Sequence, residues 1–363
     1  MPYTYKFFSK GVQCSNVYTA GEWTLPSLAS YVTGVGSANH MVIHNKITNN
    51  LPEDITVLAE YFHEAGYYTA KIDGDWRSSL AYGYGRGMDR VIYQHQNTGF
   101  KAEQVVADVT DHMELMKETN QFVWMGVGEL HNIADGFTMN ASVQAEIPLE
   151  NRTDEDTGKT SVKQNFSYNK RTAYTRQMKY IDRYLGVLYT YIEENYRDSE
   201  IVVSLFGDHG QGYLVNEAEE HFLADGRSKV AMMFRGGNLP AGTVCEELIS
   251  TCDYVPILCK LAGIPLKHED IDGNLPVFFG GSRKREYAIT ESIHPGDAYQ
   301  AAIVSDDYKF YYTSEGVVEY DGRFEPGKFS CRLTDNEGNE YTDEACVKYL
   351  DVLMRHAGSL MVC

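Results

Sequence analysis

The chain is short of positive charge. Its 363 residues carry 32 Lys and Arg against 51 Asp and Glu, a formal net charge of −19. That balance argues against sequence-independent binding to nucleic acid or to an anionic membrane surface. It also means that an anionic substrate needs local positive charge, such as a metal, to offset the general field. Long apolar runs are missing as well: none approaches the roughly 20 residues of a membrane-spanning helix. No signal-peptide pattern opens the given sequence. There is no internal repeat, no low-complexity tract and no C-x-x-C pair. The seven cysteines, an odd number without tight pairing, favour free thiols and lean towards a reducing, cytoplasmic setting without fixing the localisation. Cys245, Cys252 and Cys259 recur every seven residues, a spacing that places them near one face of a helix as small buried apolar groups.

What is present is a sizeable core. Apolar residues make up 43% and tyrosines number 27, enough for one large α/β domain with an appendage, or for two domains. The densest stretch is Ile201 to His221. Ile201 to Phe206 is an apolar run of strand length, suited to a strand buried on both faces of a parallel sheet. Gly207 breaks it, and Asp208 and His209 follow at the strand's C-terminal end, where open α/β sheets place ligands. A carboxylate and an imidazole side by side can share one divalent cation. They can equally be a plain turn with Asp208 as a helix cap. His221 lies twelve residues on, after a glycine-containing loop.

Upstream, GEWTLPSLASYVTG reads as a helix. Thr24 stands at its start, Pro26 in its first turn and Gly34 just past its end. The positive dipole end of a helix favours an anion there; Thr24 can also serve merely as the N-cap. Pro52 to Gly66 reads as a further helix and Tyr67 to Ile72 as a strand. The glycine-rich loop after it carries Arg77, Arg86 and Arg90. Glu103 to Thr119 is a helix and Phe122 to Val127 a buried strand, so His131 also falls beyond a strand's C-terminal end. Residues 138 to 168 lack periodicity and read as a surface insertion. From Tyr168 to Tyr196, Met178, Ile181, Leu185, Leu188 and Ile192 form an amphipathic stripe facing a sheet. From Tyr287 onward the pattern changes to short strands, including Val317 to Tyr320 as a separate one, and a helix near Asp343 to Arg355. That is a small antiparallel sheet backed by one helix.

These pieces, in this order, resemble the sulfatase branch of the alkaline phosphatase superfamily. GVQCSNVYTAGEWTLPSLASYVTG looks like the segment that carries the nucleophile, where sulfatases show C-x-P-S-R or S-x-P-S-R. LAEYFHEAGYYTAKI resembles the helix and strand that follow. YTRQMKYIDRYLGVLYTYIEENYRDSEIVVSLFGDHG is similar to the long helix and strand that lead to the metal-binding Asp-His. CDYVPILCKLAGIP and AYQAAIVSDDYKFYY resemble the start of the family's C-terminal section. The resemblance implies an alkaline-phosphatase-like three-layer α/β/α fold with a mostly parallel central sheet, plus a small C-terminal antiparallel sheet with one helix. It divides the chain into a catalytic domain over residues 1–275 and a small α+β subdomain over 285–363.

One departure falls at the nucleophile. Sulfatases oxidise Cys or Ser there to formylglycine, whereas Thr24 is a secondary alcohol that this oxidation does not convert, and Leu28 replaces the motif's Arg. Threonine at this place resembles the lipoteichoic-acid synthases and lipid A phosphoethanolamine transferases, which attack phosphorus through a phosphothreonine intermediate. The resemblance thus implies a metal-dependent hydrolase or phosphotransferase with Thr24, His131 and His221 as catalytic residues. It implies one divalent ion on Asp208, His209 and Thr24, Zn²⁺ or Mn²⁺ favoured over Ca²⁺ or Mg²⁺ because one ligand is nitrogen. The expected partner is an anionic ester, such as a cell-envelope or capsular glycan, and no nucleic acid. Two alternatives stay open: a sulfuric ester hydrolase working without formylglycine, and a non-catalytic binding protein on the same fold. The family's first strand, which ends in acidic metal ligands, has no counterpart before Met1, so the sequence reads as N-terminally truncated.

Overall fold

The computed structural model describes residues 1–44, 50–93, 101–130, 133–134, 137–138, 168–211, 221–267, 271–341 and 343–362. Two ladders form the centre. In one, β1 (Val12–Cys14) pairs in parallel with β10 (Thr243–Cys245) and antiparallel with β9 (Met232–Gly236), which in turn pairs antiparallel with β8 (Val202–Phe206). In the other, β3 (Tyr68–Asp73) lies between β4 (Arg90–Tyr93) and β5 (Gln121–Met125), parallel to both. A short parallel pair joins β2 (Val17–Tyr18) to β11 (Ile249–Ser250), and β6 (Ile133–Ala134) pairs with β7 (Phe137–Thr138).

Helices cover both faces. On one side lie α2 (Thr24–Thr33), α4 (Leu58–Glu64) and α8 (Tyr254–Ala262); on the other lie α1 (Pro2–Phe8), α5 (Ala102–Leu115) and α6 (Tyr168–Asn195); the short α3 (Ser37–His40) packs through Ala38 with the C-terminal part. The period-two alternation of the strands feeds the two layers separately. Phe122 and Trp124 of β5, with Met232 and Phe234 of β9, pack under Leu25, Leu28 and Val32 of α2. Their neighbours Val123, Met125 and Met233 point the other way, towards Val105 and Val109 of α5 and Ile181, Leu185 and Leu188 of α6. This is the expected three-layer sandwich. A short helix, α7 (Asp225–Ser228), lies between β8 and β9.

The C-terminal part is a five-stranded antiparallel sheet, β12 (Ala288–Ser292), β13 (Ala298–Val304), β14 (Tyr308–Val317), β15 (Phe329–Asp335) and β16 (Glu340–Tyr341). Helix α9 (Asp343–Ala357) backs it, with Tyr349 and Leu353 packed on Phe310 and Ile303.

Some local readings change. The run 201–206 is a strand, but its own ladder is antiparallel, because the chain turns back through α7 and lays β9 directly beside it. Among the described residues β8 is the outer strand of its ladder, and all its residues are partly exposed. The helix expected from Pro52 begins only at Leu58, and Val317 belongs to the long β14. Cys245 lies in β10, Cys252 in a 3-10 turn and Cys259 in α8, so the seven-residue spacing does not mark one helix. All three are buried all the same.

Candidate active site

Helix α2 supplies one wall. Trp23 is extended and caps nothing with its side chain, so Thr24 is the first helical residue, and its hydroxyl is free to point outward rather than back over the helix end. Thr24, Ser27 and Tyr31 share a helical face. Each meets a successive residue of the turn that follows β8. The Tyr31 hydroxyl donates to the Gly207 carbonyl at 2.9 Å, the Ser27 hydroxyl donates to the Asp208 carbonyl at 2.6 Å, and Thr24 Oγ1 lies 3.2 Å from His209 Nε2. The three predicted residues Thr24, Asp208 and His209 are therefore together, although the first two are 184 positions apart in the chain.

The hydrogen bonds set the tautomer of His209. Its Nδ1–H donates to the Gly210 carbonyl at 2.8 Å, which leaves a lone pair on Nε2 facing Thr24. That same carbonyl accepts from Arg227 at 3.1 Å, and the Gly210 N–H donates back to the Arg227 carbonyl at 2.8 Å. A Cβ at position 210 would stand 2.2 Å from the Gly226 carbonyl oxygen, so the turn requires glycine for close approach. Arg227, almost wholly buried, also faces the buried carboxylate of Glu22 at 3.6 Å.

The electrostatics are those of a site rich in acceptors. Asp208 Oδ2 lies 3.4 Å from His209 Nε2, and the Thr24 hydroxyl also bonds the Asp208 carboxylate. Burial works against ionisation of Asp208, but attraction to His209, the Thr24 hydroxyl and Arg77 outweighs it and holds the carboxyl below its ordinary range. Burial, opposed by Asp208 and reinforced by Arg227 and Arg77, brings His209 down to about 4, so its imidazole is neutral at pH 7. One hydroxyl proton is thus shared among a carboxylate, a neutral imidazole nitrogen and its own oxygen. A divalent cation is the natural complement of that donor set, with hard oxygen and borderline nitrogen on one side of it. Among the described residues no group of three or more His, Cys, Asp or Glu could hold a metal, so these three donors form a partial shell that other ligands or substrate would complete.

Of the three loop arginines, Arg77 is the one whose charge reaches Asp208 and His209. Asp75 holds it as a fork, Nε to Oδ1 and Nη2 to Oδ2 both at 2.7 Å, in a nearly buried pair. Arg86 instead binds Glu60, and Arg90 donates to His112 Nδ1. His221 is described, but both its nitrogens are engaged: Nδ1 accepts from the Leu223 N–H and Nε2 meets Thr313 Oγ1, each at 3.1 Å. Its ring stacks on Tyr311 of β14, 4.7 Å between centroids, and burial brings it down to about 4. His131 lies outside the described residues. Sequence reasoning missed Arg227, which carries no motif. It also missed Ser27, whose place three residues after Thr24 was a legible signal for a shared face.

Comparisons with known proteins bear on the fold and the family. A search of curated protein sequences finds no significant match. Among solved structures, BT4656 in complex with its substrate D-glucosamine-2-N,6-O-disulfate superposes with a TM-score of 0.69 at 14% identity, covering 99% of this chain and 92% of that one. The phosphonate monoester hydrolase of Silicibacter pomeroyi gives 0.67 at 14% identity over 98% and 90%. That of Agrobacterium radiobacter gives 0.68 at 14% identity over 99% and 91%. At such identities the likeness is one of fold. Residues 1–264 match the Sulfatase family, and the chain belongs to it.

Proposed function

We propose that this sulfatase-like chain is a metal-dependent hydrolase or transferase acting on a phosphate ester, a phosphodiester or a phospho-substituent, with Thr24 as nucleophile. The observation that carries the reading is the approach of Thr24 Oγ1 to the unprotonated Nε2 of His209, whose tautomer is fixed by Gly210. Asp208 and His209, with Thr24 Oγ1 as a third donor, would hold the ion, which when bound makes a hydroxyl more acidic and stabilises negative charge. Asp208 accepts the hydrogen bond of the Thr24 hydroxyl and orients its oxygen, while the single Nε2 lone pair of His209 is the nitrogen donor that would be offered to the ion. That oxygen forms a bond to phosphorus as the bond to the leaving alkoxide breaks; the hydroxyl proton passes by way of Asp208 to the departing oxygen, leaving a phosphothreonine that water or an acceptor alcohol then resolves. Arg77 and Arg227 supply positive field in a chain of net charge −19, which favours an anionic ester. His221 is neutral at pH 7 and its one N–H is held by Thr313, so it would serve a substrate oxygen only by giving up that bond. Two fold neighbours are phosphonate monoester hydrolases and a third was solved with a sulfated sugar, which supports an anionic ester, on a glycan or otherwise. We assign the chemistry to residues 1–275 and a supporting α+β unit to 285–363.

The test is turnover of an aryl phosphodiester, an aryl phosphonate monoester and an aryl sulfate by wild type and Thr24→Ala, with intact-mass analysis of quenched enzyme. Phosphorus esters should be cleaved, Thr24→Ala should lose the activity, and a phosphate adduct should map to Thr24. Preferential cleavage of the sulfate, or full activity in Thr24→Ala, would overturn the reading. No turnover and no bound metal would leave the non-catalytic alternative.

A further inference from the structure

We propose that Glu291, paired with His356, is a positioning residue through which the C-terminal sheet and helix hold the nucleophile segment; the proposal rests on the assignment of Thr24 above. Glu291 is 1% exposed and sits on β12. Its main chain is laced to the strand-like approach to Thr24: its N–H donates to the Ala20 carbonyl at 3.0 Å, and its carbonyl accepts from Glu22 N–H at 3.3 Å. The flanking residues add to this seam. Thr290 donates its hydroxyl to the Thr19 carbonyl, and Ser292 donates to Glu22 Oε1 at 3.1 Å.

The carboxylate ties in two further elements. Oε1 accepts from the Tyr299 hydroxyl at 2.7 Å. Oε2 accepts from the Ala38 N–H of α3 at 3.1 Å and from His356 Nε2 of α9 at 3.0 Å. Helix α3 is the next element after α2, and Ser37 beside Ala38 donates to the same Ala20 carbonyl at 3.1 Å. One buried residue therefore meets both ends of the segment that carries Thr24, Ala20 and Glu22 through its main chain and Ala38 through its carboxylate. The imidazole itself lies against the main chain of Gly36, where a Cβ would come within 3.1 Å of its Cε1.

The charge of His356 belongs to this device. The groups facing it are Glu291 on β12 and, from the connecting segments, Asp272 and Arg285, with Tyr299 reaching it only through Glu291. Asp272 is itself bound to the Gly36 N–H at 2.7 Å and to Asn39 at 2.8 Å. Burial disfavours the imidazolium, but Glu291 and Asp272 overcome that and raise its pKa. The imidazole is thus charged on the acid side and loses its proton as pH rises through the raised value, while Glu291 stays ionised.

The experiment compares wild type, Glu291→Gln and His356→Gln by amide hydrogen exchange of peptides covering residues 19–38 and by steady-state kinetics on the aryl phosphodiester, from pH 6 to 9. Glu291→Gln is isosteric; should it fail to fold, His356→Gln, at the less buried end of the pair, carries the test. Both variants should exchange faster across 19–38 than wild type and lose kcat by about tenfold with little change in KM, as expected for a misplaced nucleophile. Wild-type exchange there should accelerate with pH beyond its intrinsic rate, and His356→Gln should abolish that excess. Unchanged exchange, or altered exchange with kcat unchanged, would overturn the proposal. If wild type turns over no ester the catalytic assignment falls, and exchange at 19–38 alone decides whether Glu291 holds the segment.

Discussion

Ser27 donates its hydroxyl to the main-chain carbonyl of Asp208 at 2.6 Å, one helical turn beyond Thr24 and on the same face. The bond links the nucleophile helix to the strand end that carries the candidate ligands, and Thr19 donates into the same Ser27 oxygen at 3.1 Å. Ser27→Ala removes a part-buried hydrogen bond to the Asp208 carbonyl, a cost of about 0.5–1.5 kcal/mol in stability. Because the lost bond sets the register of Thr24 against His209, kcat should fall by about tenfold to a hundredfold. Thermal unfolding together with kcat and KM checks both. A variant with wild-type kcat would show that the helix face does not set the geometry.

Arg77 and Asp75 form a nearly buried fork, so removing one partner strands the other. Arg77→Ala should destabilise by about 3–5 kcal/mol. The double variant Asp75→Asn/Arg77→Met removes both charges and should recover most of that stability. It should not recover affinity: with the positive field at Asp208 gone, KM for an anionic ester should stay raised, by about tenfold. Chemical denaturation and initial-rate kinetics on the double variant separate the two roles. A wild-type KM there would confine Arg77 to packing.

Acid should loosen the molecule through its buried imidazoles. His40 accepts from the Val42 N–H through Nδ1 at 3.0 Å and meets the Pro26 carbonyl through Nε2 at 3.2 Å, which docks α3 onto the first turn of α2. Burial lowers it from its ordinary value to about 4. The unfolded chain therefore takes up the proton first, and stability falls as pH drops from about 6.5 towards 4, by at most about 3 kcal/mol for this group. His221, brought down to the same region by burial, adds in the same direction. The melting temperature should decline across that window and less steeply in His40→Gln. A flat profile would mean that His40 is already solvated.

Much of this architecture was legible because the signals are local. Pro26 and Gly34 bracket α2, and the stripe from Met178 to Ile192 marks α6, with strand 202–206 following it. The misreadings share a cause, which is contact distant in sequence. Residues 52–57 do not continue α4 because Arg86 holds the Pro52 and Ile55 carbonyls, groups that a helix would have used itself. In the site, Thr24, Asp208 and His209 stand in motifs. Arg77 was indistinguishable from Arg86 and Arg90 until the fold placed it, and Arg227 had no sequence signature at all.

The three donors also predict what metal removal does. Thr24 Oγ1, Asp208 and His209 Nε2 share one proton, so a cation there should be bound in the folded state and not in the unfolded one. Mass action then stabilises the fold by about 2.7 kcal/mol when free metal stands at a hundred times its dissociation constant. Native protein should carry close to one equivalent of Zn²⁺ or Mn²⁺ by elemental analysis. Chelation should lower its melting temperature, and re-addition of the same ion should restore it. Asp208→Asn removes the hard anionic ligand while the Ser27 bond to its main-chain carbonyl is retained, so this variant should fold yet lose both the metal and the thermal response. If wild type and Asp208→Asn bind metal alike, or if neither shifts on adding Zn²⁺, Mn²⁺, Ca²⁺ or Mg²⁺, the cation does not sit on these residues.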